Sequence, residues 1–434
     1  MFKSQNKQNP FKIITYGFIG YALIGVILIS LPFSQKVHVG FVDNLFNIVS
    51  ALSTTGLTTG SISELYTTFG HIILLCLIEL GAIGYMTLTS FFILSRSDKI
   101  SNNRVKILSA EFPLPQGFDV KRFVKNVIIY TVGIELVGTV LLYWQFLQNG
   151  IEKPLWSAIF HSVSAFATAG FSLFPDSLMQ FRGNIPINLI IIFLCYSGAI
   201  GFIVSMDIYR RLTGKSKEIT LTSKIIVIMT VLVGISGALI YCFAEQSGFL
   251  SSFFQIMSAS TTVGFNTVDL AQISKASLLL IIFAMIIGAS PSGTGGGIKS
   301  TSISVLLGII GSVINGHPEK ITFLNKRIPE NRVMTAVATA TTYVIILSVS
   351  TLLICLFDNH SFLELYFETA SALGTVGLSL GITSTLSTAA KIILTVTMFL
   401  GRLGPLTLGI AFFRLNTDRN IVLSKCDVAV WYYY

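Results

Sequence analysis

The chain has 434 residues, of which 52% are hydrophobic and only 11% charged, where ordinary soluble domains carry roughly 25% charged residues. Many stretches of about 20 residues hold no charge at all, and that length of helix crosses a bilayer core. A soluble enzyme, a DNA binder and a disulfide-stapled scaffold are excluded on that composition, and an integral membrane protein with several spans is expected.

Taken in chain order, the apolar runs follow a rhythm of long, short, long. The first unit (residues 11–95) has a long run at Phe11–Leu31, a short one at Phe41–Leu52 and a long one at His71–Leu94. The second (123–209) repeats it at Phe123–Phe146, Leu155–Phe166 and Pro186–Tyr209. The third (221–314) has Leu221–Phe243, Phe249–Ser260 and an interrupted run, Ser277–Ile314. The fourth (332–415) has Val333–Phe357, Phe362–Leu373 and Ala389–Phe413, followed by a tail, 416–434. The short runs are too brief to span, so they are predicted to be re-entrant helices.

The net charge of +9 would suggest a nucleic-acid partner if the basic residues were clustered on one face. Instead 22 of the 29 Lys and Arg fall in the N-terminal tail, between Arg96 and Lys125, between Arg210 and Lys224, between Lys320 and Arg332, and after Phe413. The connections on the other side hold five: Lys36, Lys153, Arg182, Lys275 and Lys391. This asymmetry is the positive-inside signature and predicts both termini on the cytoplasmic side of the plasma membrane. No nucleic-acid partner is expected. The five cysteines are scattered without metal-ligand spacing and read as packing residues.

Each short run is followed directly by a glycine: Gly56, Gly170, Gly264 and Gly377. Ten residues before each stands Phe46, Phe160, Phe254 or Phe367, and two before each stands Thr54, Thr168, Thr262 or Thr375. Ser50-Ala51, Ser164-Ala165, Ser258-Ala259 and Ser371-Ala372 complete the pattern F-x3-S-A-x2-T-x-G-[LF], four times in one chain. Non-helical backbone at membrane depth is tolerated where it is buried in protein or lines a watery cavity. Glycine adopts positive φ at little steric cost and so lets neighbouring carbonyls be aimed to one side. Four such stretches around an axis would make a ring of carbonyl oxygens able to replace a cation's hydration shell. The C-terminal, partially negative ends of the four short helices would favour the same cation. The competing reading is that the glycines only let helices pack closely. The fourfold recurrence favours a pore.

These loops, with Thr54-Thr55-Gly56, Thr168-Ala169-Gly170, Thr262-Val263-Gly264 and Thr375-Val376-Gly377 at their centres, resemble those of the Trk/Ktr/HKT superfamily of potassium transporters. The long-short-long order is similar to that family's M1–P–M2 repeat, and the likeness, greatest to the Ktr-type membrane subunit, covers residues 11 to 415. It implies an all-α integral membrane fold, with four repeats and their re-entrant pore helices around a pseudo-fourfold central pore. It also implies that these twelve residues form a selectivity filter whose backbone carbonyls hold K+. Glycine at all four positions implies potassium rather than sodium preference. K+ would be the transported ion, with Na+ a candidate stimulating ion and no organic cofactor. A homodimer seated on a cytoplasmic ring of nucleotide-binding RCK subunits is implied as the assembly, within the lipid bilayer. The tail from Cys426 to Tyr434 has no counterpart in that pattern.

The second long run of the third unit is broken by Gly288-Ala289-Ser290-Pro291-Ser292-Gly293-Thr294-Gly295-Gly296-Gly297-Ile298-Lys299. Five glycines and a proline interrupt a helix. A phosphate-binding loop would need glycine where Ile298 stands, and a preceding strand. The stretch therefore reads as an intramembrane loop below the filter, which matches the family's gating loop and gives Ser290, Gly293, Gly295, Gly296, Gly297 and Lys299 as gate residues. Arg402 lies in the apolar run of the fourth unit. A charge there costs about 2.5–3.5 kcal/mol on insertion scales, so it should face a cavity or a partner. We expect it below the filter as a barrier to the ion; of Glu79 and Glu135, also in apolar runs, Glu79 is a candidate partner for Arg402 or Lys299, the alternative being hydrogen bonds to neighbouring helices. Lys299 either assists the loop or snorkels to the cytoplasmic surface. On the outer side Asp43, Glu64, Glu152, Asp176, Glu245, Asp269, Asp358, Glu364 and Glu368 outnumber the cations and would concentrate them. No group is arranged for covalent chemistry, so an enzyme is not expected. The rival function is a sodium- or proton-coupled secondary transporter, although those folds usually pair inverted halves.

Overall fold

The computed structural model of the chain describes residues 10–96, 104–105, 107–108, 120–214, 216, 218–317, 320–324 and 326–404. Over these residues the protein is mostly helical. Helix α1 (Pro10–Ile29) leads to the short α2 (Phe41–Leu52) and then to α3 (Thr68–Ile83) and α4 (Tyr85–Arg96). Next come α5 (Val120–Gln148), the short α6 (Pro154–Phe166), α7 (Ile185–Ala199) and α8 (Phe202–Leu212). Then α9 (Leu221–Glu245), the short α10 (Phe249–Ser260), α11 (Lys275–Ile286) and α12 (Ser300–Ile314) follow. The last group is α13 (Glu330–Cys355), the short α14 (Phe362–Gly374) and α15 (Thr388–Leu403). A two-stranded antiparallel hairpin, Thr322–Phe323 with Lys326–Arg327, joins α12 to α13.

Among the described residues four helices, α1, α5, α9 and α13, are long and apolar enough to cross a bilayer, or six segments where each of the bent pairs α3–α4 and α7–α8 counts as one span. Their outward faces carry side chains that water would not tolerate, such as Leu136, Val140 and Trp144 on α5 and Val231, Ile235 and Leu239 on α9. Such continuous apolar faces suit lipid. This is a multi-pass membrane protein.

The short helices sit inside. Phe46, Phe160, Phe254 and Phe367 are fully buried, as are the Ser-Ala pairs that follow them. The repeated phenylalanine is thus a packing anchor. Polar caps mark where α3, α7, α11 and α15 begin: Thr67, Asn184, Ser274 and Ser387 each accept a bond from a first-turn backbone N–H. Ser361 and Glu364 form a reciprocal capping box at the start of α14.

Two expected spans need correction. His71–Leu94 and Pro186–Tyr209 read as single helices, yet they bend by 87° and 96° respectively. The cause is local: Gly84 and Gly201 adopt φ of +82° and +88°, in the left-handed region that ends a right-handed helix. Gly404, at +89°, ends α15 in the same way, and the run beyond it to Phe413 lies outside the described residues, as does the tail 416–434. The interruption expected in the third unit separates α11 from α12.

Candidate functional site

The segments after the four short helices adopt one conformation. Backbone N–H groups of Thr55, Ala169, Val263 and Val376 donate to the carbonyls of Ser50, Ser164, Ser258 and Ser371 at 2.8–3.0 Å. Each chain then turns twice through the left-handed region. Thr54, Thr168, Thr262 and Thr375 have φ of +53°, +52°, +57° and +48°, and Gly56, Gly170, Gly264 and Gly377 have +98°, +65°, +90° and +91°. The residue between has negative φ in every case. Alternating handedness turns successive peptide planes over, so neighbouring carbonyls point to the same side instead of opposite sides. The serine repeated in all four units locks the arrangement: Ser50 and Ser371 accept from the Gly56 and Gly377 N–H at 3.1 and 3.0 Å, while Ser164 and Ser258 donate to the Phe171 and Phe265 carbonyls at 2.8 and 2.6 Å.

The four segments close into a ring. A Cβ added at Gly56 would strike the Ala169 carbonyl oxygen, and one at Gly170 would strike that of Val263. At Gly264 it would strike the Val376 oxygen, and at Gly377 the Thr55 oxygen, which returns to the first segment. All four glycines also line one open cavity of about 360 Å³. Of the outer acids Asp176 borders it, beside Asn266, Ser379 and Thr383. Several of the other outer acids are engaged locally: Asp43 pairs with Lys391 at 2.9 Å, Glu245 accepts from Ser274 at 2.6 Å, and Glu368 is buried behind the fourth segment. The cavity wall itself is mainly hydroxyl- and backbone-lined, with Asp176 as its carboxylate among the described residues.

On the opposite side of the ring stand the four threonine hydroxyls and, against them, the broken segment between α11 and α12. Thr168 Oγ1 donates to Thr294 Oγ1 at 3.0 Å, and Gly296 N–H donates to Thr262 Oγ1 at 3.0 Å. A Cβ at Gly295 or Gly296 would meet the Thr262 or Thr375 hydroxyl. The segment is held by backbone as much as by side chains. Ala289 N–H donates to Gly296 O at 3.1 Å, and Ile287 pairs with Ile298. It docks on the α7–α8 bend, where Ser290 N–H and Oγ both donate to Ala199 O, Thr294 N–H donates to Gly198 O, and Phe202 N–H donates to Ser292 O. A side chain at Gly201 would collide with Ser290, Gly293 and Pro291.

Arg402 reaches this point from α15. Its guanidinium donates to Thr54 Oγ1 at 2.9 Å and to the backbone carbonyls of Thr294 and Gly81. One side chain thus ties the first ring threonine, the broken segment and α3. Lys299 lies beside it, its Nζ donating to Gly295 O within the segment at 2.6 Å. Glu79, a candidate partner for these cations, lies against the Glu135 carboxyl.

The structure joins the four Thr-x-Gly loops to one another and sets Gly295, Gly296, Lys299 and Arg402 on their threonine side, with Ser290 and Gly293 against the α7–α8 bend and Gly297 against Gly288. Sequence reasoning missed the carbonyls of Gly81, Gly198 and Ala199, because backbone acceptors have no sequence signature. It also missed Thr294, although the residue sits in the middle of the glycine-rich stretch.

The chain matches a family model described as "Cation transport protein", TrkH, over residues 5–422. It is 31% identical over 416 residues to the Ktr system potassium uptake protein B of Bacillus subtilis, covering 93% of each chain. It is 31% identical over 427 residues to the potassium/sodium uptake protein NtpJ of Enterococcus hirae, covering 93% of this chain and 92% of that one. The crystal structure of the potassium transporter TrkH from Vibrio parahaemolyticus superposes with a TM-score of 0.69 at 22% identity, covering 95% of this chain and 86% of that chain, and so shares the fold.

Proposed function

Because this chain belongs to the TrkH family of cation transport proteins, a family of ion transporters and not of enzymes, we propose that it takes up potassium across the plasma membrane through a central pore. In this reading the four long-short-long units are M1–P–M2 repeats in pseudo-fourfold arrangement, with both termini cytoplasmic. The observation that carries it is the closed ring, in which each loop glycine abuts the carbonyl preceding the glycine of the next loop.

The mechanism follows from the geometry. A hydrated cation enters the outer cavity and gives up water to the ring carbonyls, which replace its hydration shell. The threonine hydroxyls supply a further tier of oxygens. Four short helices end at this level, each placing roughly half a negative charge toward the axis. Below, the segment 290–297 obstructs the path, and the Arg402 and Lys299 cations oppose entry of a third positive charge. Opening requires the segment to leave the threonine tier while keeping or breaking its hold on the α7–α8 bend.

Potassium is the cargo. A relative named for potassium and sodium uptake supports a role for Na+, as a stimulating or a coupled ion, and keeps the secondary-transporter reading as the rival. A homodimer on a nucleotide-binding cytoplasmic ring is the proposed assembly. The test is flux through purified protein in liposomes, with Na+ and Rb+ as competitors. Passive, K+-selective flux that loses selectivity in Gly264→Ser is expected. Flux that saturates and requires a second ion gradient would instead establish the coupled transporter.

A further inference from the structure

One position of the fourfold pattern has no common residue type and so escapes a search for repeats. Immediately after each anchor phenylalanine stands Asn47, His161, Gln255 or Glu368. All four side chains are buried, at 0%, 0%, 0% and 1% exposure. All four also do the same thing: each binds the outer limb of its own loop, two or three residues beyond the ring glycine.

Asn47 exchanges two bonds with Thr59, donating to its hydroxyl at 3.2 Å and accepting from its N–H at 3.1 Å. His161 bonds the Ser172 hydroxyl through Nε2 at 3.0 Å while Nδ1 is engaged by the Ser157 carbonyl at 2.7 Å. A neutral ring that donates from Nδ1 therefore accepts the serine proton at Nε2. Gln255 donates to the Thr267 hydroxyl at 2.9 Å. Glu368 does most: Oε1 accepts from Ser379 Oγ at 2.5 Å and Leu380 N–H at 3.1 Å, and Oε2 accepts from Thr383 Oγ1 at 3.0 Å.

The inner limb of each loop is fixed by its serine and by the helix end. Without a second tether the outer limb could rotate its peptides, and the carbonyl oxygens would lose their common aim. We propose that Asn47, His161, Gln255 and Glu368 are positioning residues that fix the outer limbs of the four loops, and that the Glu368 carboxylate, with three donors, sets the discrimination between potassium and sodium in the fourth quarter. This rests on the pore reading above. A carboxyl suits the task, since its two oxygens take three donors at once.

The experiment measures the K+ to Na+ flux ratio in liposomes for Glu368→Ala, Glu368→Gln and the double variant Ser379→Ala with Thr383→Val. Each variant is first checked for monodispersity and thermal unfolding. Loss of about tenfold in the ratio is expected for Glu368→Ala, in line with removing buried hydrogen bonds, with partial recovery in Glu368→Gln. The double variant, which keeps the carboxylate and removes two of its donors, should lose selectivity too, and it carries the test if Glu368→Ala does not fold. Phe362→Ala, on the same helix but exposed, should leave the ratio unchanged. A selective wild type whose ratio is unmoved in folded Glu368→Ala, or in the double variant, overturns the tether. A non-selective wild type overturns the pore reading itself.

Discussion

Thr54, Thr168, Thr262 and Thr375 hold positive φ although each carries a branched Cβ. The left-handed region costs an L-residue about 1–2 kcal/mol, and glycine would avoid that cost. What glycine could not supply is the hydroxyl, by which Thr54, Thr168 and Thr262 meet Arg402, Thr294 and Gly296 respectively. Strain of this kind persists where the surroundings over-determine it, typically at functional sites. The threonine was legible in the sequence as a fourfold coincidence, but its backbone conformation was not, because propensity alone places threonine elsewhere. Arg402 shows the complementary case: the sequence marked it as a charge in need of a partner, and its partners are mostly carbonyls. A unit charge about 5 Å from a permeating cation opposes it by about 3 kcal/mol at an effective dielectric of about 20. Arg402→Ala should therefore raise K+ flux about tenfold or more in the liposome assay. A folded variant with unchanged or lower flux would show that the guanidinium ties the segment without obstructing the ion.

At the scale of elements, the bends at Gly84 and Gly201 were hidden. The apolar runs continue through both glycines, and a single glycine in a helical pattern costs only about 1 kcal/mol, so periodicity gave no reason to stop. Their function emerges from contacts far apart in the chain. The α7–α8 bend exposes the carbonyls of Gly198 and Ala199, and the segment 290–297 consumes them. Gly201→Ala and Gly214→Ala make a matched pair, since both positions have positive φ but only the first has neighbours that an added Cβ would strike. Gly201→Ala should lower the unfolding temperature more than Gly214→Ala and should raise flux by undocking the segment. Equal losses with unchanged flux in both would place the anchor of the segment elsewhere. The tethers Asn47, His161, Gln255 and Glu368 were illegible for a different reason. An amide, an imidazole and a carboxylate can each hold a hydroxyl, so the structure preserves the bond while the sequence varies the atom.

For the whole molecule, the ring has a direction. Every glycine touches the loop of the following unit, and the fourth touches the first. Neighbouring quarters therefore share a contact, and opposite quarters do not. Substitutions at residues in contact couple, whereas distant ones add within about 0.3–0.5 kcal/mol. Gly56→Ser should weaken K+ preference by displacing the Ala169 carbonyl. Combined with Gly170→Ser, its effect on log selectivity should be non-additive, and combined with Gly264→Ser it should add. Additivity in both pairs, measured as K+ to Na+ flux ratios, would mean that the four quarters bind the ion independently.

A channel assembled from four copies of one subunit must accept every substitution in all its strands at once. In the proposed pore one polypeptide supplies the carbonyls of Thr55, Ala169, Val263 and Val376 that abut the loop glycines, so each wall of the cage would be separately heritable. Selectivity in such a protein can drift in quarter-steps, and a lesion in one wall leaves three templates against which the damage can be read.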